Sequence, residues 1–378
     1  MDVYVCPACS AVVSSSRREA HEKAWCPARV KEDGEESSED ERPAGVGGAR
    51  SLLTPLCEAA TTVTFSSVPT MSFSLIQTDI WGPADTGGAL WYADRVMSEY
   101  IAAGALDVAL DWPLPPSQSL SRMPQRRFGQ TPPDCFSSSS SSSKLFSSSD
   151  QIPENPGQTS NSSSNPSSAS RKGASRGLAL ALGCGGAPLS ALVAAAMGWK
   201  VIMTDLDVCL EQAQQNVDSN LNAVRSSRSN LRLADLPDSL DEMTVMELWF
   251  GDDAALEKAL SDWTIQVKAD LEGQASGPLV VLCSDCIWKP ELHLLLIKTI
   301  ISALRQCPTG AGVSLVAFQR RSPTNEALFM KRLKEAEVLC IESVDIADVL
   351  QIVHWPPQAQ SQNVDLVHEF QMLRLSLI

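Results

Sequence analysis

The stretch Leu178 to Asp205, LALALGCGGAPLSALVAAAMGWKVIMTD, constrains the fold more than any other. Leu178 to Leu182 is a short apolar run of the kind a buried parallel strand needs. Gly183-Cys184-Gly185-Gly186 follows, where missing Cβ atoms let the backbone turn tightly and approach a ligand. Pro188 suits the first turn of a helix, since its absent N–H would be unpaired there anyway. Leu189 to Met197 supplies that helix and Gly198 its C-terminal cap. Lys200 to Thr204 reads as a second strand with Asp205 at its carboxyl end. In open α/β sheets ligands bind outside those ends, and an acid about 20 residues past the glycines can accept hydrogen bonds from a ribose diol. The unit therefore reads as a nucleotide-cofactor site.

Two plainer readings compete. Gly177 to Trp199 carries no charge and has the length of a membrane span. The glycines and Pro188 fall within that run, however, and a second apolar strand follows at once, which argues against a span. A buried βαβ unit without any ligand is the other reading, because a fold does not imply a function.

The 378 residues suffice for two domains, or for one domain with long unstructured parts. A net charge of −15 disfavours nonspecific binding to nucleic acid or to an anionic membrane. The start, MDVYVCPACS, lacks a basic region followed by an apolar one, so no signal peptide is expected. Eleven cysteines, an odd number scattered along the chain, fit reduced thiols in a cytoplasmic or nuclear protein.

Residues 1–30 hold Cys6, Cys9, His21 and Cys26 in the spacing C-x2-C-x11-H-x4-C. Tetrahedral zinc takes four such N/S donors, one pair on a tight knuckle and one on a following helix, here expected from Ser14 to Trp25. So short a segment cannot build an apolar core, and metal would supply its folding energy. The stretch resembles the small C2HC zinc fingers. With all four positions filled by protein, such a knuckle docks protein or nucleic acid rather than catalysing. The competing reading is a tail with incidental cysteines.

Residues 31–50, with seven acids between Glu32 and Glu41, read as a solvated linker. Thr62 to Phe65 and Phe73 to Ile76 alternate weakly and predict one or two edge strands within the segment 51–111. Thr86 to Asp107 predicts a helix capped by Thr86, with Leu90, Ala93, Met97, Tyr100, Ile101 and Gly104 on one face. Trp91, near its start, is a candidate for the core or for a ligand. Residues 112–175 contain 21 serines and 9 prolines and read as a disordered insertion, because they cannot bury enough apolar surface to offset ordering.

Beyond it, in 176–378, helices are predicted at Val208–Leu221, Leu292–Gln306 and Asn325–Ala336. Strands are predicted at Thr244–Leu248, Leu279–Cys283, Gly312–Phe318, Val338–Val344 and Val364–Leu377. Alternating strands and helices argue for a parallel sheet. The last two strands, with no helix between them, argue that one runs antiparallel.

Six motifs in order resemble the class I S-adenosylmethionine-dependent methyltransferases, and more narrowly methyltransferase family 16, seven-β-strand enzymes that modify mainly protein lysine. The resemblance covers about residues 72–111 and 176–378. It rests on Thr86-Gly87-Gly88-Ala89-Leu90-Trp91, Ala181 to Ala187, Thr204-Asp205, Leu248-Trp249-Phe250-Gly251, Asp285-Cys286-Ile287-Trp288 and Gln319-Arg320-Arg321-Ser322. Four positions depart from the family pattern. Ala181 replaces an acid, Ala187 a glycine, Phe250 a tryptophan and Trp288 a tyrosine.

The resemblance implies a seven-stranded Rossmann-like sheet with helices on both faces. It also implies cofactor contacts from Trp91, Gly183, Cys184, Gly185, Asp205, Trp249, Phe250 and Ser284. Asp285 would orient the incoming amine, and Trp288 would stack on the amine or sulfonium. Three functions stay open: a protein lysine methyltransferase acting on a protein substrate, a zinc-finger adaptor with a degenerate fold, and an NAD-dependent oxidoreductase. The last expects glycine where Pro188 stands.

Overall fold

The computed structural model describes residues 3–5, 12–14, 60–77, 90–105, 176–231, 233, 243–270, 277–353, 355 and 366–378. All of these fall in one unit, Met1–Trp112 with Lys172–Ile378. The second unit, Pro113–Arg171, lies outside the described residues, as do the expected linker at 31–50 and the expected insertion at 112–175.

Strands β1 (Val3–Val5) and β2 (Val12–Ser14) form an antiparallel hairpin, and β3 (Ala60–Thr64) and β4 (Ser72–Ile76) form another. Helix α1 is Tyr92–Ala102. The main series then runs β5 (Leu178–Leu182), α2 (Leu189–Ala196), β6 (Lys200–Asp205), α3 (Asp207–Asn230), β7 (Met243–Glu247), α4 (Asp253–Asp270) and β8 (Leu279–Ser284). It continues through α5 (His293–Arg305), β9 (Gly312–Gln319), α6 (Pro323–Glu335), β10 (Leu339–Ser343), α7 (Ala347–Ile352), α8 (Leu366–Glu369) and β11 (Phe370–Leu377). The seven-stranded sheet has the order β10-β11-β9-β8-β5-β6-β7. Only β11 runs against its neighbours, pairing antiparallel with both β10 and β9. The chain thus folds as a doubly wound, mostly parallel α/β sheet.

Strand periodicity builds two cores, one on each face of the sheet. From β5, Ala179 and Ala181 face one core, and Leu178, Leu180 and Leu182 the other. From β8, Val280 and Leu282 divide in the same way from Leu279, Val281 and Cys283. Strands buried on both faces read as unbroken apolar runs, as these do. Helices α1 and α2 pack on the first face, α4, α5 and α6 on the second. Every residue of α2 is buried, since α1 and α3 both pack against it, which explains an uncharged run as long as a membrane span. Among the described residues no helix is long and apolar enough to cross a membrane.

Several sequence expectations need correction. Residues 60–76 are not edge strands of the main sheet but their own hairpin, tied to α3 by side-chain amides. Asn216 Oδ1 accepts the Ile76 N–H at 2.6 Å, and its Nδ2 donates to the carbonyls of Ile76 (2.8 Å) and Gly186 (2.7 Å). One helical turn on, Asn220 treats Ser74 in the same way, at 2.8 and 2.7 Å. Four helical residues rise about 6 Å and two strand residues about 6.8 Å, so an i, i+4 asparagine pair can serve as a substitute strand edge.

Helix α1 starts at Tyr92 with Trp91 as its N-cap residue, not at Thr86, which lies outside the described residues. Helix α3 extends past Leu221 to Asn230 because Val224, Ser227 and Arg228 are buried, with Arg228 Nε donating to the Ala195 carbonyl at 2.8 Å. Helix α4 was not expected at all. Two short helices, α7 and α8, interrupt the region expected to pass directly between the last two strands, and β11 begins at Phe370 rather than Val364. The antiparallel final strand is as expected. Ser14 closes β2, so the helix expected from Ser14 does not include it.

Candidate functional site

The strand order reverses at β5. From there the chain moves outward to β6 and β7, then returns to β8 and β9 on the other side. Ligands of such sheets bind at the carboxyl ends of the strands flanking that reversal. The glycine turn, Asp205, Trp249-Phe250, Ser284-Asp285 and Gln319 all follow or end those strands.

The turn after β5 is held by main chain and one acid. Cys184 N–H donates to the Thr204 carbonyl at 3.1 Å. Asp205 Oδ2 accepts from Gly185 N–H at 2.6 Å and Oδ1 from Leu206 N–H at 2.7 Å. Gly183 sits at φ 61°, and a Cβ there would lie 2.9 Å from Cys286 Sγ and 3.1 Å from Phe250 Cζ. Its glycine is thus required by backbone sign and by protein side chains pressed on the turn. Burial raises the Asp205 carboxyl above its ordinary range, opposed by the Leu206 and Gly185 N–H groups. Burial also pushes the thiols of Cys184 and Cys286 well up, which leaves them neutral and unreactive.

A second acid reaches the turn from α1. Asp94 is buried, and its Oδ2 accepts from the N–H groups of Leu189 (3.0 Å) and Ser190 (3.3 Å). It thereby caps α2 at its N-terminus, where unpaired N–H groups and the helix dipole favour negative charge. Burial raises this carboxyl to about 6, against the hydrogen bonds from Ser190 and Leu189. Sequence reading missed it, because the helix that it caps lies 95 residues away. No acid stands at 181, where Ala181 faces the packed core.

Across the reversal, Asp285 lies at φ 52°, a left-handed conformation unusual for a residue other than glycine. Its N–H donates to the Ala317 carbonyl at 2.9 Å, its Oδ1 accepts from Gln319 N–H at 3.0 Å, and its Oδ2 lies 2.7 Å from Arg321 Nη2. Burial raises its carboxyl, opposed by the Arg321 charge. The guanidinium of Arg321 stacks on Trp91, 4.2 Å from the ring centroid. Beside them, Ser284 Oγ is a buried hydroxyl with no hydrogen-bond partner.

The other expected residues spread around this core. Phe250 is buried against Gly183, while Trp249 Nε1 donates to Glu247 Oε1 at 2.8 Å. Trp288 is 40% exposed, with Lys289 Nζ 4.1 Å from its ring centroid, so a cation of its own chain covers one face. Cys6, Cys9, His21 and Cys26 lie outside the described residues. Among the described residues no cluster of histidine, cysteine and acidic side chains could hold a metal.

Residues 3–27 match the family model described as a C2HC zinc finger. No curated protein matches the chain. Among solved structures, the human methyltransferase 10 domain containing protein aligns at 13% identity and a TM-score of 0.28, over 53% of this chain and 70% of its own. A Pyrococcus horikoshii protein aligns at 14% identity and a TM-score of 0.26, over 55% and 58%. A Legionella pneumophila protein aligns at 12% identity and 0.22, over 50% and 53%. The chain therefore spans little more than half the length of the latter two. At such TM-scores these likenesses carry no weight for function, and the fold stands on the strand order of the chain itself.

Proposed function

We propose that this protein is an S-adenosylmethionine-dependent methyltransferase that acts on a protein substrate, on lysine. The observation that carries the reading is the Asp94 carboxylate seated on the N-terminus of α2. In dinucleotide-binding folds that position takes the pyrophosphate. A buried acid there repels phosphate. Asp94 and Asp205 are close enough for their charges to act on the Cys184 thiol of the turn, Asp205 and Asp285 on the neighbouring Cys286 thiol, and Asp285 on Asp94. That field suits a cofactor carrying sulfonium and ammonium charge, and it disfavours NAD.

The residues present fit such a cofactor. The turn Gly183 to Gly186, Asp205 and the unpartnered Ser284 hydroxyl would hold it, with the Phe250 ring pressed against Gly183. When bound, it supplies an electrophilic methyl group. A lysine near its ordinary pKa of about 10.4 must first lose a proton to expose its lone pair. Asp285 would accept a hydrogen bond from the incoming amine and orient it. At the N-terminus, Cys6, Cys9, His21 and Cys26 form a donor set suited to structural zinc, and the knuckle would dock protein or nucleic acid. The six described cysteines are free thiols, in keeping with a cytoplasmic or nuclear protein.

Two observations favour a second reading, an adaptor with an inactive fold: Asp285 is already paired with Arg321, and no acid stands at 181. Incubation of the full chain with methyl-labelled S-adenosylmethionine and a heat-treated lysate separates the two. Methyl-lysine in the protein hydrolysate is expected. Label in arginine, histidine or RNA would overturn the substrate assignment, and absence of label would favour the adaptor.

A further inference from the structure

Arg321 occupies a place built from three chain segments. The Trp91 ring, at the start of α1, has its centroid 4.2 Å from the guanidinium carbon, and the Asp285 carboxylate, just after β8, lies 2.7 Å from Nη2. Its Nε donates to Gln319 Oε1 at 3.3 Å. An aromatic face together with a carboxylate is a general receptor for a cationic side chain. The two walls are not equally held. Asp285 is fixed by its own N–H to Ala317 and by Gln319 N–H to its Oδ1, at a strained φ that the surrounding strands enforce. Its side chain is only 7% exposed, whereas that of Arg321 is 29% exposed and stands on a flexible stem between β9 and α6. The acid is the fixed part and the arginine the part that can leave.

We propose that Trp91 and Asp285 form a subsite for a cationic side chain of the substrate, and that Arg321 is its resident occupant, which the incoming group displaces. Which cation arrives rests on the lysine reading above. The subsite itself does not. The arrangement makes Arg321 a specificity residue: a substrate enters only if its own cation replaces the stacking and the ion pair that Arg321 gives up. It also keeps Asp285 neutralised until then.

The test uses the full chain and small cations as probes. Methylguanidinium and n-butylammonium are titrated into wild type and Arg321→Ala, with binding followed by calorimetry and by the tryptophan indole N–H resonances. Arg321→Ala should bind methylguanidinium saturably at one equivalent, at least tenfold more tightly than wild type. Adding Trp91→Ala to Arg321→Ala should abolish that binding. Equal binding by wild type and Arg321→Ala, or none by a folded Arg321→Ala, would overturn the proposal. If Arg321→Ala does not fold, Arg321→Gln is titrated with the same criteria. Parallel titration with S-adenosylmethionine separates the two readings. A cation site without cofactor binding would remove the methyltransferase and leave the subsite, and cofactor binding without a cation site would do the reverse.

Discussion

Asp205 and Asp285 stand at the carboxyl ends of strands on opposite sides of the sheet reversal, and they are held by different means. Both oxygens of Asp205 accept main-chain N–H groups, from Gly185 and Leu206, within one βαβ unit. Asp285 gives one oxygen to the Gln319 N–H and the other to the guanidinium of Arg321, which a third segment braces through Trp91. Main-chain donors stabilise a carboxylate without cancelling its charge, whereas an arginine cancels it. The acid on the glycine-turn side is therefore held by main-chain N–H groups, an arrangement that would suit the cationic cofactor proposed above. On the Asp285 side the arginine cancels the charge, and the proposed displacement of Arg321 would uncover it. Under the proposed function, one sheet would set a cofactor site beside a masked acceptor site.

The largest effect that would sharpen this contrast lies in the turn itself. Gly183→Ala should destabilise the protein by roughly 2–5 kcal/mol, combining left-handed strain with overpacking against Cys286 and Phe250. Gly310 has a similar φ, 67°, but a Cβ added there would meet nothing within 4 Å. Gly310→Ala should therefore cost only about 1 kcal/mol, the strain alone. Equal losses in chemical denaturation would mean that close packing on the turn does not matter.

Asp94 gives a pH-dependent effect of nearly that size. The fold raises its carboxyl from 3.8 to about 6, so the protonated form is the one that folding favours. Its contribution is complete below 3.8 and is lost as pH rises through about 6. Asp94→Asn stays neutral throughout. Above pH 6 it should be more stable than wild type by up to roughly 3 kcal/mol, and the difference should vanish near pH 4. Affinity for S-adenosylmethionine should fall in the same variant, since one of the three acids is gone. A variant that is less stable at pH 7 would show that the cap outweighs the cost of burying its charge.

A smaller effect is expected from Asp205→Asn. Both oxygens of the acid face N–H donors, so an amide must turn its own NH2 toward one of them in either orientation. The loss should be about 1–3 kcal/mol in melting or denaturant experiments. Asp285→Asn has no such conflict on the main-chain side, because its amide oxygen can keep the Gln319 N–H. It should instead release Arg321, visible as a shifted Trp91 indole resonance.

The same contrast explains what the sequence could and could not reveal. The strand, glycine turn, helix and acid of residues 178–205 were legible because each contact among them closes within one unit. Helix α4 carried its signal too, in Leu256, Ala259, Leu260 and Trp263 at helical spacing, all of them buried. Asp94 and the Asn216–Asn220 pair were different. Each acts on a partner that the fold brings from a distant segment, and nothing in their immediate neighbours distinguishes them from ordinary helix or loop residues. The β3–β4 hairpin was misplaced for the same reason, since its strand edge is paired by side chains of α3 that only the tertiary structure positions.

If the negative turn selects S-adenosylmethionine over a pyrophosphate cofactor, cofactor affinity must show it. Calorimetric titration of the full chain with S-adenosylmethionine and with NAD, beside Asp205→Ala, tests this directly. Wild type should bind one equivalent of S-adenosylmethionine and no NAD. Asp205→Ala should bind it more weakly by about 1–3 kcal/mol, the usual cost of lost hydrogen bonds to a charged group. Binding of NAD without S-adenosylmethionine, or unchanged affinity in Asp205→Ala, would contradict the selection.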